Sequence, residues 1–174
     1  KKNKKQIKDL YTYFINKCRK MLIDVELVEL QNKTEHILLN ASFTDDNSFA
    51  KIKDKTVGIS IFSPPYANCF DYCEVYKLEF WLGGFVKSYD GFNKYREMAL
   101  RSHVNSKFSH EFKNVNKDVD IISDLIATYN IWNKNIPAMI RGYFDDMTIV
   151  LQRQYDIMVK GAKSYIIVAN SSYK

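Results

Sequence analysis

Val57-Gly58-Ile59-Ser60-Ile61-Phe62-Ser63-Pro64-Pro65-Tyr66 is a continuous apolar run that stops in a Pro-Pro pair followed by an aromatic. The run Val57 to Phe62 reads as a buried parallel strand, both of whose faces are covered by helices. The pair holds two of the chain's three prolines. Each proline fixes its own φ, lacks an N–H and pushes the preceding residue toward extended backbone, so the strand ends in a stiff ledge. Such a ledge suits the holding of a planar, hydrogen-bond-donating group against an aromatic face. The Ser63 side-chain oxygen and a backbone carbonyl are the acceptors.

Outward from this stretch, the pattern alternates strand and helix. Lys1 to Lys5 is a charged start expected to fray, and Ile7 to Ile23 carries Ile7, Leu10, Tyr11, Phe14, Ile15, Cys18 and Leu22 at helical spacing, with one face buried. Glu35 to Leu39 reads as a short strand. Thr44-Asp45-Asp46-Asn47 is a polar loop able to cap a short helix through Phe49. After the ledge, Tyr72 to Leu82 continues as one helix closed by Gly83-Gly84. Lys87 to Asp118 is polar and reads as loop with short helices, and Val119 to Trp132 is apolar-patterned. A helix from Pro137 to Met158 follows, with Pro137 in its first turn and Gly161 as its stop. Tyr165 to Ala169 is a second buried-type strand, so an α/β sheet of parallel type is expected.

Composition is compatible with this and names nothing. The 174 residues make about one domain, and an apolar fraction of 46% is ordinary for a globular core. A net charge of +6 favours an anionic partner without identifying it. Cys18, Cys69 and Cys73 are odd in number, and no second Cys/His pair stands at zinc spacing near Cys69 and Cys73, so they read as reduced thiols of a cytoplasmic protein with no metal. There is no signal peptide and no run approaching the roughly 20 apolar residues that span a bilayer, so no membrane is expected.

The ledge resembles the catalytic loop of the DNA amino-methyltransferases, whose signature is Asp, Asn or Ser before Pro-Pro-Tyr or Pro-Pro-Phe. Ser63-Pro64-Pro65-Tyr66-Ala67-Asn68 runs on into Phe70-Asp71-Tyr72 and Tyr76-Lys77-Leu78-Glu79-Phe80-Trp81-Leu82-Gly83, similar to the extension in restriction-modification-type enzymes. Two later segments, from Ile136 to Met147 and from Ile166 to Tyr173, are similar to later parts of the same family. In family order, these matches extend over roughly two-thirds of the chain.

The resemblance implies an α/β, Rossmann-like fold and S-adenosylmethionine as cofactor. It implies direct methyl transfer to the exocyclic amino group of a flipped adenine or cytosine in DNA, with no covalent enzyme intermediate. Ser63 and the Pro64 carbonyl would accept the two amino hydrogens and draw the nitrogen lone pair out of ring conjugation, an electrostatic preorganisation like an oxyanion hole with the sign reversed. Pro65 stiffens the ledge, and Tyr66 would stack on the flipped base. Asn68 and Asp71 are candidate substrate contacts, and Asn40 and Ser63 candidate cofactor contacts. A Ser at the head of the signature leans toward cytosine and an Asp toward adenine.

Blander roles stand beside these. Asn68 and Asp71 suit turns that bond their own backbone. His103 and His110 read as solvated surface residues. Arg96, Arg101 and Lys107 either touch phosphate or form a wet charged face, and Phe80, Trp81 and Phe85 read as core. The sequence also departs from the family: it has no glycine-rich turn of the Asp-Pro-Phe-x-Gly-x-Gly type, and Asn40-Ala41-Ser42 stands where relatives often carry an acidic turn near the cofactor adenosine. Residues 1–174 therefore read as the catalytic-loop portion of a methyltransferase domain. The rest is expected upstream or on a second chain. An RNA base methyltransferase, and an inactive nucleic-acid-binding or assembly subunit on the same half-fold, are the alternatives.

Overall fold

A computed structural model describes residues 9–27, 37–39, 41–45, 52, 55–108 and 111–169. The chain divides into two compact units, Lys1–Leu38 and Leu39–Lys174. In the first, α1 (Leu10–Leu27) begins at Asp9, whose carboxylate accepts from the Tyr11 N–H at 3.0 Å. The helical period is as expected, but no residue of α1 is buried.

The second unit is built on a parallel pair, β1 (Val57–Phe62) and β2 (Met158–Ile166). Between them run α2 (Tyr72–Val75), α3 (Lys77–Leu82), α4 (Tyr89–Met98), α5 (Lys117–Ala127) and α6 (Ile136–Ile157). The expected strand Val57 to Phe62 is found with those bounds, and its parallel partner is found too. Burial on both faces is not: Ile59 and Ile61 are 64% and 68% exposed. An apolar run states that two faces can be covered, and here α6 half-covers one. On that covered face, Gln154 of α6 bonds Ser60 of β1 and accepts from Ser164 of β2 at 3.2 Å, so one amide ties the helix to both strands.

Gly161 does not stop α6. The helix ends at Ile157, Met158 turns straight into extended backbone, and β2 starts seven residues before the expected Tyr165. Gly161 sits inside β2 at φ +83°, where the pairing steps from Val57↔Met158 to Ile59↔Lys163. A bulge that wide needs a left-handed residue, which glycine supplies without steric cost.

Helix Tyr72 to Leu82 is also divided. Tyr76, at φ −93° and ψ 19°, leaves the helical region, and Lys77 starts a new turn. The break lets Cys73 of α2 and Phe80 and Trp81 of α3 pack together against Val86 and Phe92. Phe85, expected in the core, is 67% exposed beyond the Gly83-Gly84 turn. In the polar stretch from Lys87 to Asp118, Ser88 caps α4 by accepting from Gly91 N–H at 3.2 Å, and Asn116 caps α5 by accepting from Asp118 N–H at 2.8 Å. Ile37–Leu39 forms no strand, while residues 35 and 36 and the expected helix through Phe49 lie outside the described residues.

The larger core joins Val104 to Ile136, Met139 and Ile140 of α6, flanked by Phe108, Val119, Ile126 and Ile131. Along α6 the buried positions recur at three and four residues, one stripe of an amphipathic helix. Asp145 and Asp146 interrupt that stripe with charge and find their partners outside the helix. Arg101 Nη2 lies 2.7 Å from Asp145 Oδ2 and 2.6 Å from Asp146 Oδ1, and the Arg101 backbone N–H donates to Asp146 at 2.8 Å. Asn114 donates twice to Asp145, through its backbone N–H at 2.8 Å and its side-chain amide at 3.1 Å. Gly142 makes room, since a Cβ there would stand 3.1 Å from Arg101 Cδ.

Burial by itself would raise the Asp145 carboxyl pKa, but the bonds from Arg101 and Asn114 outweigh it and hold the group below its ordinary 3.8. A depressed folded-state pKa contributes stability above that value and loses it as the pH falls through the folded one. Arg101→Met leaves both carboxylates without their counter-charge, and urea unfolding should show a loss of about 3 kcal/mol, the low end for breaking a buried pair because this one is not fully enclosed. An unchanged unfolding midpoint would sink this account of α6.

Candidate active site

The ledge leaves the C-terminal end of β1 beside the outgoing end of β2. Ile167 N–H donates to the Phe62 carbonyl at 3.0 Å, carrying the ladder one residue past β2. The Ser63 hydroxyl donates to the Ile167 carbonyl at 3.1 Å, and the Tyr66 hydroxyl stands 3.4 Å from Ser63 Oγ. Pro64 is buried, Pro65 and Tyr66 are half-buried, and Ser63 is exposed. These four expected residues are thus brought together, with Tyr66 folded back on the serine it follows.

The next turn is made locally. Asn68 N–H donates to the Tyr66 carbonyl at 2.8 Å, and the Asn68 side chain accepts from Phe70 N–H at 3.1 Å. Cys69 lies between them at φ +65°, a left-handed conformation uncommon for a residue with a side chain. Asp71 caps α2, accepting from Cys73 and Glu74 N–H at 3.1 and 3.3 Å, so both polar candidates carry the turn roles their types suit. Asp71 Oδ2 also pairs with Arg96 Nε at 3.0 Å, and Arg96 pairs with Glu74. Arg96 and Arg101 are therefore engaged in ion pairs rather than forming a wet face. Lys107 pairs with Glu97 at 2.5 Å.

His103 overturns the surface reading. It is 2% exposed, and neither ring nitrogen has a hydrogen-bond partner. Burial pushes its pKa below 6.5, the Asp71 carboxylate 3.8 Å from Nδ1 pulls it up, and Arg96 adds to the lowering. The ring is thus neutral at pH 7. His110 and Asn40 lie outside the described residues. All three cysteines are free, and burial raises the Cys69 and Cys73 thiols above their ordinary pKa, away from nucleophile chemistry.

Against the ledge lies a cavity of about 340 Å³ lined by Phe43, Phe62, Pro64, Pro65, Leu100 and Met147 among others. Its polar lining is Ser42, Thr44, Ser60 and Gln154, with no charged side chain. The 42–44 segment is closed on itself, Thr44 N–H donating to Ser42 Oγ at 3.2 Å, and is pinned to α6 by Arg153 Nη1 donating to the Phe43 carbonyl at 2.6 Å. Sequence reading missed this wall. Gln154 was detectable, as a polar residue on the buried stripe of α6 between Val150 and Ile157. Phe43 and Leu100 carried no signal.

The ledge thus closes a parallel strand pair on a mixed helix and strand fold and lies against a largely apolar cavity. The chain is similar to the Type II methyltransferase M.BsoBI of Geobacillus stearothermophilus, with 27% identity over 166 aligned residues that cover 83% of this chain and 32% of that protein. It spans about a third of the length of that curated relative. No family model and no solved structure matches the chain. The distant kinship supports a methyltransferase-like protein at that coarse level. No helix among the described residues is long and apolar enough to cross a membrane.

His103 gives the site region an acid sensitivity of its own. Its folded-state pKa is depressed, so its contribution is complete above the ordinary value of about 6.5 and is lost as the pH falls below it. Thermal melts should fall between pH 7 and 5 in the wild type and fall less in His103→Gln. Parallel slopes for the two proteins would contradict a buried neutral imidazole.

Proposed function

We propose that this chain carries the catalytic ledge of a Rossmann-like enzyme that methylates an exocyclic amino group of a DNA base, cytosine in preference to adenine. The observation that carries the reading is the exposed Ser63 hydroxyl at the end of β1, anchored on Ile167 and followed directly by the Pro64-Pro65 pair. The similarity to a Type II methyltransferase and the +6 charge of the chain support it.

The amino nitrogen of cytosine or adenine is a poor nucleophile because its lone pair is shared with the ring. Two fixed acceptors, Ser63 Oγ and the Pro64 carbonyl, take its hydrogens and withdraw the lone pair from conjugation. Charge then develops on a nitrogen already surrounded by oriented oxygens, which need no reorganisation in the transition state. Tyr66 swings from Ser63 to stack on the flipped base, offsetting part of a flipping cost of about a few kcal/mol. Asn68 and Asp71 shape the turn that carries Tyr66.

S-adenosylmethionine supplies the electrophilic methyl group. The cavity beside Pro64 and Pro65 fits its flat adenosyl portion, with Phe43 and Leu100 as apolar walls and Ser42 as a polar group two residues beyond Asn40. No charge in the lining meets a methionine ammonium or carboxylate. We therefore propose that a further segment of the same protein, or a second chain, completes the cofactor site. Calorimetric titration of residues 1–174 with S-adenosylmethionine should show no micromolar binding. Micromolar binding by the monomeric fragment would refute a divided site.

In the full-length protein, transfer of labelled methyl to duplex DNA should drop about 10²–10³-fold in Ser63→Ala, the cost of one preorganised polar contact. Tyr66→Ala should lose about 1–3 kcal/mol of base stacking. Nucleoside mass spectrometry should identify N4-methylcytosine. Near-normal turnover in Ser63→Ala would remove the ledge from the chemistry, and methyladenine alone would reverse the choice of base.

A further inference from the structure

Ser63 has one proton to give and two lone pairs with which to accept. A main-chain carbonyl only accepts, so the 3.1 Å contact between Ser63 Oγ and the Ile167 oxygen commits that proton to the outgoing end of β2. The carbonyl is itself held in place. Ile167 N–H donates at 3.0 Å to the carbonyl of Phe62, the residue directly before Ser63, so the two strands are clasped at two adjacent points. The Tyr66 hydroxyl, 3.4 Å from Ser63 Oγ, then faces it only as a donor, and one serine lone pair still points away from both neighbours.

Resting on the amino-methylation reading above, we propose that the Ile167 main-chain carbonyl is a positioning group of this site. By holding the Ser63 proton it presents the serine to the target as an acceptor alone. A free hydroxyl rotates and offers its proton to a keto oxygen as readily as its lone pair to an amino hydrogen. A clasped one meets a keto oxygen with oxygen, so the site selects cytosine or adenine over thymine, and the amino edge of a base over its carbonyl edge. The selection is imposed by backbone, which is why no side chain in the sequence announces it.

Asn and Asp have the same shape and differ in what they can donate, so they separate this role from a merely structural one. At position 63 an Asn amide N–H can donate to Ile167 while its oxygen accepts from the target. An ionised Asp has no proton for Ile167 and sets carboxylate against carbonyl. In the full-length protein Ser63→Asn should keep methyl transfer within about tenfold of wild type, and Ser63→Asp should fall at least about 100-fold.

Thermal unfolding reads the anchor without reference to chemistry. Ser63→Asp should melt about 2–4 °C below Ser63→Asn, the shift expected of one lost hydrogen bond in a domain of this size. Equal melting temperatures for the two variants, or turnover in Ser63→Asp that matches Ser63→Asn, would overturn the proposal. A wild type that transfers no methyl group while the melting difference persists would refute the functional reading and leave the anchor standing.

Discussion

Arg101 pairing with both Asp145 and Asp146 is the constraint on which the second unit turns. Two adjacent carboxylates on the buried stripe of α6 leave that helix no apolar way to pack at its centre, and an uncompensated buried charge is prohibitive. The guanidinium that answers them arrives from the irregular segment after α4, and Asn114 adds two donors from the segment before α5. One charge cluster therefore holds two stretches that have no regular structure of their own against α6. The cavity beside the ledge inherits its walls from this cluster, because Leu100 and Met147, the chain neighbours of Arg101 and Asp146, both line it.

The ledge depends on α6 at second hand. Gln154 fixes both strands to the helix, the strands place Ile167 opposite Ser63, and the carbonyl of Ile167 holds the serine. On the proposed function, a site built this way is rigid where it meets the target and adjustable only at Tyr66, whose hydroxyl contact is long. That division suits a reaction in which the acceptors must be preorganised while an aromatic moves to receive a base. Ion pairs also settle the residues past the ledge. Asp71 is occupied by Arg96 and the α2 N-terminus, with neutral His103 sealed behind it.

Several elements were legible because their signals are local. Val57 to Phe62 declares a strand by its apolar run, and the Pro-Pro pair ends it by covalent geometry. Helices α1 and α6 were read from their period, and the turn roles of Asn68 and Asp71 from side chains that reach their own backbone. The misreadings share a cause. Gly161 has the local look of a helix stop, yet its positive φ serves a bulge whose need arises only once β2 pairs with β1. His103 and Arg101 look like surface residues in sequence; Arg101 is drawn inward by Asp145 and Asp146, at least 44 residues away, and His103 is buried, neutral, beside Asp71, 32 residues back.

By itself the sequence determined the ledge, its strand, the helical period of α1 and α6, and the residue types that present acceptors beside an aromatic. These follow from dihedral limits and hydrophobic period, which act over a few residues. Only the tertiary structure decided that Ser63 bonds Ile167, that the 42–44 segment walls the cavity, that one face of β1 is bare, and that an arginine lies against two aspartates. Each of these joins residues far apart in the chain, and the free energy of such a contact is set by burial and geometry that exist only when the fold has closed around it.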